Sequence, residues 1–498
     1  MRQKALRILL LAGACAVAAP ALAQDGPADT LQEALALANQ HNPTLEAARA
    51  NLRATDETVP IERADALPGL SGTASYSEFL YDSGGGVGPV RSAGAGATLT
   101  VPVYAGGSVR NQIRAAETRV LAGRADLRGT ESAIFSQVVA TYMDVIQNEA
   151  IVGLSANNVS VLEINLQATS DRFEIGDLTR TDVAQSESRL ALARGDLRTA
   201  QANLIRAKEN YIALVGAAPG ELQPPPPLPG LPGSPEMAVD VAIANNPDLL
   251  GAQERARAAN IDIRTADAAR LPRLDVTLGG DYSNFLGSYS GAPVGFANDS
   301  SGVTAGVRAT IPLFQGGRPA ALQRQAQARA SAALENIVAA ERDVIAQVRS
   351  AYASWQAASA IIASTQAAVA AAELSLEGVR AENSVGNRTV LNILDAQQEL
   401  LRAQVQLVTA RRNAYVAGFT LLAAMGRAEA RDLGLEAYGP LYDPVANYDR
   451  VKGIIWDWQR DPDPVTQSTR TVDIPTQDAE TPPQSTVASG DQAAPTAP

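Results

Sequence analysis

The sequence predicts an α+β membrane protein built by internal duplication, each half running helix, strand, strand, helix, helix, with four strands per chain. Three observations predict it. Proline and glycine landmarks recur at offsets of 204 and then 210 residues, and self-similarity at a fixed spacing marks a repeated architecture. Paired stretches of apolar–polar alternation run about ten residues, the length a tilted membrane strand needs. Ala-rich amphipathic segments of about sixty residues follow, each roughly 90 Å long as a helix and wider than a globular domain. Aromatic residues make up only 4% of the chain, so contacts between small residues on long helices replace a thick core.

The chain opens with a secretory signal over residues 1–23. Arg2, Lys4 and Arg7 form the basic start, residues 8–19 the apolar run, and Ala21-Leu22-Ala23 the cleavage site. That run is shorter than the roughly 20 residues a spanning helix requires. Cys15, the single cysteine, leaves lipid attachment as a second reading, against which Ala12-Gly13-Ala14 before it holds no Leu. The mature chain is therefore expected to hold no disulfide and no thiolate metal site.

Each half then begins with a helix, residues 31–66 and 235–270, ended by Leu67-Pro68 and Leu271-Pro272. The residue before a proline is pushed out of the α region. Asn42-Pro43 recurs inside these helices as Asn246-Pro247. The hairpins come next. Leu274, Val276, Leu278 and Tyr282 share one face against Asp275, Thr277 and Asp281. On the returning strand Val303, Ala305, Val307, Ala309, Ile311 and Leu313 oppose Thr304, Arg308 and Thr310. The first-half strands, near residues 70–79 and 94–103, alternate more weakly. The glycine run 84–88 lacks the Lys-Ser/Thr of a phosphate loop and reads as a loop tip between strands.

Strands pass into helices through Val101-Pro102-Val103-Tyr104-Ala105-Gly106-Gly107 and Ile311-Pro312-Leu313-Phe314-Gln315-Gly316-Gly317. The long helices, 111–173 and 320–383, carry apolar residues such as Ile134, Val138, Val145, Ile151 and Leu154 at mixed threes and fours, a coiled-coil pattern. Both end in one turn design. Gly176 and Gly386 supply positive φ, and Thr179 and Thr389 cap the returning helices 179–215 and 389–425. The domain plan is a signal (1–23), a first repeat (24–219), a Pro-rich linker (220–236), a second repeat (237–430) and an extension (431–498). Within the extension, residues 438–458 are rich in aromatics. Residues from about 461 are Pro-, Thr-, Gln- and Asp-rich and expected to be disordered.

Chemistry is hard to place on this chain. A net charge of −12 without a basic cluster disfavours nucleic acid. His41, the only histidine, reads as a solvated or capping residue, and Ser290 sits in the wrong spacing for a nucleophile elbow. The expectation is a protein that is not an enzyme and has no cofactor and no metal. No uninterrupted apolar run of about 18 residues follows the signal, which argues against a helical membrane protein but not against a β-barrel. Four strands cannot close a barrel, whose smallest examples have about eight. Open edges in lipid would leave backbone groups unpaired at several kcal/mol each. The chain must oligomerise, two copies supplying eight strands and three supplying twelve.

The duplicated layout, the V/I-P-x-Y/F-x-G-G junctions (Pro102, Gly106, Gly107; Pro312, Gly316, Gly317) and the turns I-G-D-L-T-R-T-D-V and S-V-G-N-R-T-V-L-N-I-L-D-A resemble the TolC family of outer-membrane channels, the type I secretion branch in particular. The resemblance implies a homotrimer with a twelve-stranded β-barrel continuous with a long α-helical barrel in the periplasm. It implies a periplasmic adaptor (membrane fusion) protein docking at the tips, an inner-membrane ABC or proton-driven transporter, and outer-membrane lipid around the barrel. It implies a periplasmic gate in which Arg388 faces Thr181 and Asp182, with Asp395 as the constriction carboxylate. Two positions depart from the family pattern. Asn392 replaces a second Asp and Asn383 a Tyr, implying a weaker acidic ring and a looser tie. The expected function is an exit duct passing proteins or small toxic molecules. The alternative is a non-conducting periplasmic or surface coiled-coil scaffold, which would be extracted without detergent.

Overall fold

A computed structural model describes residues 28–80, 89–288 and 297–480. The signal, the glycine run 84–88, Ser290 and residues 481–498 lie outside the described residues. In the first half α1 (Leu31–His41), α2 (Pro43–Asp56) and α3 (Thr58–Ala64) lead to β1 (Gly69–Glu78) and β2 (Arg91–Ala105). Helices α4 (Ser108–Glu174) and α5 (Arg180–Val215) follow. The second half repeats the order: α6 (Pro235–Asn245), α7 (Pro247–Asp267), β3 (Arg273–Asn284), β4 (Asp299–Thr310), α8 (Arg318–Ser384) and α9 (Val390–Ala424). A short α10 (Ala446–Val451) lies in the extension.

The opening helix of each half, expected to be continuous, is broken at its Asn-Pro pair. Asn42 sits at φ −70°, ψ 122° and Asn246 at φ −61°, ψ 125°, extended because the following proline excludes the α region. Each Asn side chain then caps the next helix, its Oδ1 accepting from Thr44 and Leu45, or from Asp248 and Leu249. Each Nδ2 donates to the end of the returning helix, to Leu214 O at 2.9 Å and Ala424 O at 3.0 Å. The break thus pins the short helices to the upper ends of α5 and α9.

The four strands form one antiparallel sheet in sequence order. Residues directly opposite share a face, and the register lines up the apolar ones. Leu70 meets Leu99, Leu99 meets Leu278, and Leu278 meets Ala305. Tyr76, Ala93, Ala95, Tyr282 and Val307 lie on that same face, while Thr73, Thr98, Thr277, Asp281 and Arg308 lie on the other. The weak alternation of the first half is therefore a real face built from Ala. A bulge between Pro102 and Tyr104 absorbs the proline's missing N–H and keeps Tyr104 opposite Leu274 on the apolar face.

Strand β4 stops at Thr310, short of the expected Leu313. The counterpart segment of β2 is held by β3, whereas β4 is an edge, and among the described residues no strand pairs with 311–315. Two consecutive left-handed glycines, Gly106 (φ 65°) and Gly107 (φ 81°), turn strand into helix. Gly316 (φ 59°) and Gly317 (φ 81°) repeat the device. At Gly106 a Cβ would fall 2.8 Å from Leu271 Cβ, so close packing reinforces the backbone requirement.

Helices α4 and α8 are each 67 residues long, about 100 Å. One window of α8 has the length and mean hydropathy of a membrane span, although Ser359, Ser364, Thr365 and Gln366 interrupt it, so no uninterrupted apolar run is present there. Its hydropathy comes from Ala, and the helix runs unbroken through it against α9. The main core gathers Phe135, Tyr142, Leu204, Tyr211 and Phe419. The Tyr142 hydroxyl donates to Gln223 O at 2.7 Å and Tyr352 to Gly233 O at 3.1 Å, so matching tyrosines hold the linker in both halves.

The aromatic part of the extension packs on the helices. Tyr448 lies against Val59, Ala116 and Val120, and Asn447 Nδ2 donates to Asp56 Oδ2 at 2.8 Å. Within the stretch from 461 expected to be disordered, Gln477 and Glu480 lie against α5. Gln477 N–H donates to Glu209 Oε1 at 3.1 Å, Lys208 Nζ donates to Glu480 O at 3.2 Å, and Ala479 packs on the main core. The polar composition misleads here because the segment uses α5 side chains as partners for its backbone.

Candidate functional site at the hairpin tips

The two turns share a hydrogen-bond scheme as well as a sequence design. Gly176 (φ 81°) donates to Phe173 O at 2.9 Å and Asp177 N–H to Arg172 O at 2.9 Å. Gly386 (φ 84°) donates to Asn383 O at 3.0 Å and Asn387 N–H to Glu382 O at 2.9 Å. Both are Schellman closures, which need a left-handed residue after the helix. Both glycines are exposed, with nothing within 4 Å of a Cβ built on them.

The returning helices start with matched caps. Thr179 N–H and Oγ1 donate to Asp182 Oδ2 at 3.0 and 2.7 Å, and Asp182 N–H donates back to Thr179 Oγ1 at 3.4 Å. Thr389 N–H and Oγ1 donate to Asn392 Oδ1 at 3.1 and 2.9 Å. Bonds from the Thr179 hydroxyl first, then its backbone N–H, hold the Asp182 carboxyl below the usual carboxylate range. Asn392, an amide at the equivalent position, makes the same cap without a charge.

Within one chain the expected gate residues are not joined to one another. Arg388 Nε donates to Glu382 Oε2 at 2.6 Å across its own turn, and Asp182 is engaged with Thr179. Thr181 is exposed. Asn383 Nδ2 ties the turn internally by donating to Arg388 O at 2.6 Å. Nearest the tips, an ion pair that does cross between hairpins joins Arg189 Nη2 to Asp395 Oδ1 at 2.6 Å. Asn165 Nδ2 donates to Gln397 Oε1 at 3.0 Å beside it, over an apolar patch of Val159, Leu162, Leu190 and Leu394. Sequence reasoning missed Arg189, Asn165 and Gln397. The repeat offset gave no signal, since it pairs Arg189 with Glu399 and Asn165 with Ser375.

A sheet with one apolar face, passing through glycine junctions into helices of about 100 Å, defines a channel-type outer-membrane fold. The chain belongs to the outer membrane efflux protein family, whose model matches residues 34–217 and 238–427. It is 34% identical to Outer membrane efflux protein BepC of Brucella suis biovar 1 (strain 1330) over 436 residues, 87% of this chain and 93% of the relative. It is 26% identical to Outer membrane protein TolC of Escherichia coli (strain K12) over 437 residues, 84% of this chain and 86% of the relative. The solved Campylobacter jejuni CmeC outer membrane channel superposes with a TM-score of 0.70 at 16% identity, covering 85% of this chain and 89% of that one. The protein is an outer-membrane exit channel with its helical part in the periplasm.

Proposed function

We propose that three copies of this chain close a twelve-stranded barrel and form the outer-membrane duct of a tripartite export system. The carrying observation is the sheet, paired inside and open at both edges, β1 and β4. Lipid cannot satisfy those edges, so a neighbouring copy does. The internal repeat supplies the register. Leu99 lies opposite Leu278 at the junction between halves. Shifting each by its repeat offset sets Ala309 of one copy opposite Ala74 of the next. Unpaired residues 311–315 then find their partner in β1, as the end of β2 finds it in β3.

The turns at Gly176, Thr179, Gly386 and Thr389 serve as docking points for a periplasmic adaptor, which links the duct to an inner-membrane ABC or proton-driven transporter. The gate lies at the same end. Asp395 faces the constriction with Arg189 as its counter-ion, and Arg388 of one copy meets Thr181 and Asp182 of the next. The cargo class is proteins or small toxic molecules. The name of BepC supports efflux, and the long internal helical path suits either cargo. Purified protein in planar bilayers should show discrete single-channel conductance, and its loss from cells should block export. A protein extracted without detergent that never conducts would overturn this reading in favour of a coiled-coil scaffold.

A further inference from the structure

We propose that the loop between α10 and Asp461 is a membrane-interface anchor, seating Ile455, Trp456 and Trp458 in the inner leaflet of the outer membrane beside the barrel. The inference rests on the outer-membrane reading above. Three large apolar side chains within four positions are 72%, 68% and 76% exposed. In a chain with so few aromatics, two tryptophans displayed to solvent ask for a partner.

The loop is built, not loose. Arg450 makes a two-pronged pair with Asp461, both bonds 2.8 Å, closing its base. Inside it Ile454 N–H donates to Val451 O at 3.0 Å and Gln459 N–H to Trp456 O at 3.1 Å. Arg63 Nη1 donates to the Lys452 carbonyl, and Lys452 Nζ pairs with Asp449 at 2.6 Å.

Its position identifies the partner. Helix α10 climbs beside α2 and α3 toward the sheet, Asn447 meeting Asp56 and Lys452 meeting Arg63. Arg63 lies six residues before Gly69, where β1 begins. The neighbouring Glu62 lines a cleft with Gln112, four residues into α4, or about 6 Å of helix. Lys452 therefore sits near the level where strands become helices. After Asp461 the chain descends. A Cβ on Gly216 would meet Thr469, and Glu480 reaches Lys208 further down α5. Ile455 to Trp458 follow Lys452 directly and precede the descent from Asp461, so they lie in the stretch between the two limbs of this excursion.

Indole rings concentrate at bilayer interfaces, their apolar bodies in the acyl boundary and N–H groups toward headgroups. Asp461 is neutralised by Arg450, and Asp457 is balanced by Arg460 in sequence. The loop thus suits a zwitterionic phospholipid surface. Burying three such side chains would hold the upper helices against the leaflet and fix the barrel's depth.

The chain has three tryptophans, Trp355, Trp456 and Trp458. A Trp355→Phe variant of the full chain, reconstituted in phosphatidylcholine vesicles, reports on the loop alone. The expected result is blue-shifted emission, protected from acrylamide, with about half or more of the intensity lost to lipids brominated near the headgroup and less to lipids brominated at mid-chain. Water-like emission quenched by acrylamide would overturn the anchor. Blue-shifted emission indifferent to brominated lipid would also overturn it, assigning the loop to a protein partner such as a second copy. Conductance measured on the same samples separates the two readings. A conducting channel with unquenched tryptophans sinks the anchor alone, and protein that never inserts sinks the duct. If Trp355→Phe fails to assemble, Trp456→Cys carrying a polarity-sensitive label gives the same readout, since Cys15 in the expected signal is the only other cysteine.

Discussion

Arg189 on α5 and Asp395 on α9 form an ion pair of 2.6 Å that joins the two hairpins of one chain near their tips. Both side chains are partly exposed, and such pairs contribute about 0.2–1 kcal/mol to stability. Their effect on local charge is larger, because Arg189 cancels the carboxylate proposed for the constriction. Arg189→Ala should therefore raise cation preference and sensitivity to block by multivalent cations, while Asp395→Ala lowers both. Thermal stability should change by under about 1 kcal/mol in either case. Reversal potentials across a salt gradient provide the check. Selectivity unchanged in both variants would place Asp395 outside the conduction path.

The sheet register separates lipid-facing from lumen-facing positions. Val307, opposite Val276 on the apolar face, should not tolerate arginine. Val307→Arg is expected to cost about 2–4 kcal/mol near the bilayer midplane and to deplete assembled protein from the outer membrane. Arg308→Ala, one residue on and facing the other way, should assemble normally. Quantifying detergent-extracted oligomer from the two strains tests this, and equal tolerance would contradict the face assignment.

At the tips, Gly386 has φ 84° and open space around its missing Cβ. Substitution there strains the backbone and nothing else, by about 1–2 kcal/mol. Gly386→Val and Gly176→Val should leave the oligomer intact while lowering export, most simply read as loss of a reporter cargo from culture medium. Normal export in both would remove the turns from the docking surface.

The paired caps predict a pH asymmetry. Asp182 is held below its ordinary value, so the folded form binds the proton more weakly than the unfolded form. The cap's contribution is present above the ordinary aspartate pKa and is lost as pH falls through the lowered one. Amide exchange in the first turn of α5 should accelerate over that acidic window. The first turn of α9, capped by Asn392, should not respond, and Asp182→Asn should abolish the response in α5. Equal acid sensitivity of both turns would show that the caps do not control it.

Much of this architecture was legible because it is local or repeated. Left-handed glycines at 176 and 386, threonine caps at 179 and 389, and the junctions at Gly106-Gly107 and Gly316-Gly317 need only short-range chemistry. The faces of β3 could be read from alternation, whereas β1 and β2 hide theirs behind Ala, Gly and Ser. What escaped depends on distant partners. Arg189 finds Asp395 across 206 positions, and a contact between halves leaves no trace in the offset between them. The end of the polar tail, Gln477 and Glu480, is held by the α5 side chains Glu209 and Lys208, a partnership that no apolar pattern announces. The break at Asn42 was available in the sequence, since Pro43 forbids a continuous helix, but its value lies in the bond to Leu214, which only the fold reveals.

The central claim is that β4 of one copy pairs with β1 of the next until the barrel closes. Ala74→Cys with Ala309→Cys, in a chain whose only native cysteine is Cys15, tests it in intact outer membranes. Oxidation should produce a ladder on denaturing gels that ends at three chains, with neither single variant giving more than monomer. A ladder ending at two, one running on without limit, or no cross-link in protein that still conducts would contradict the account.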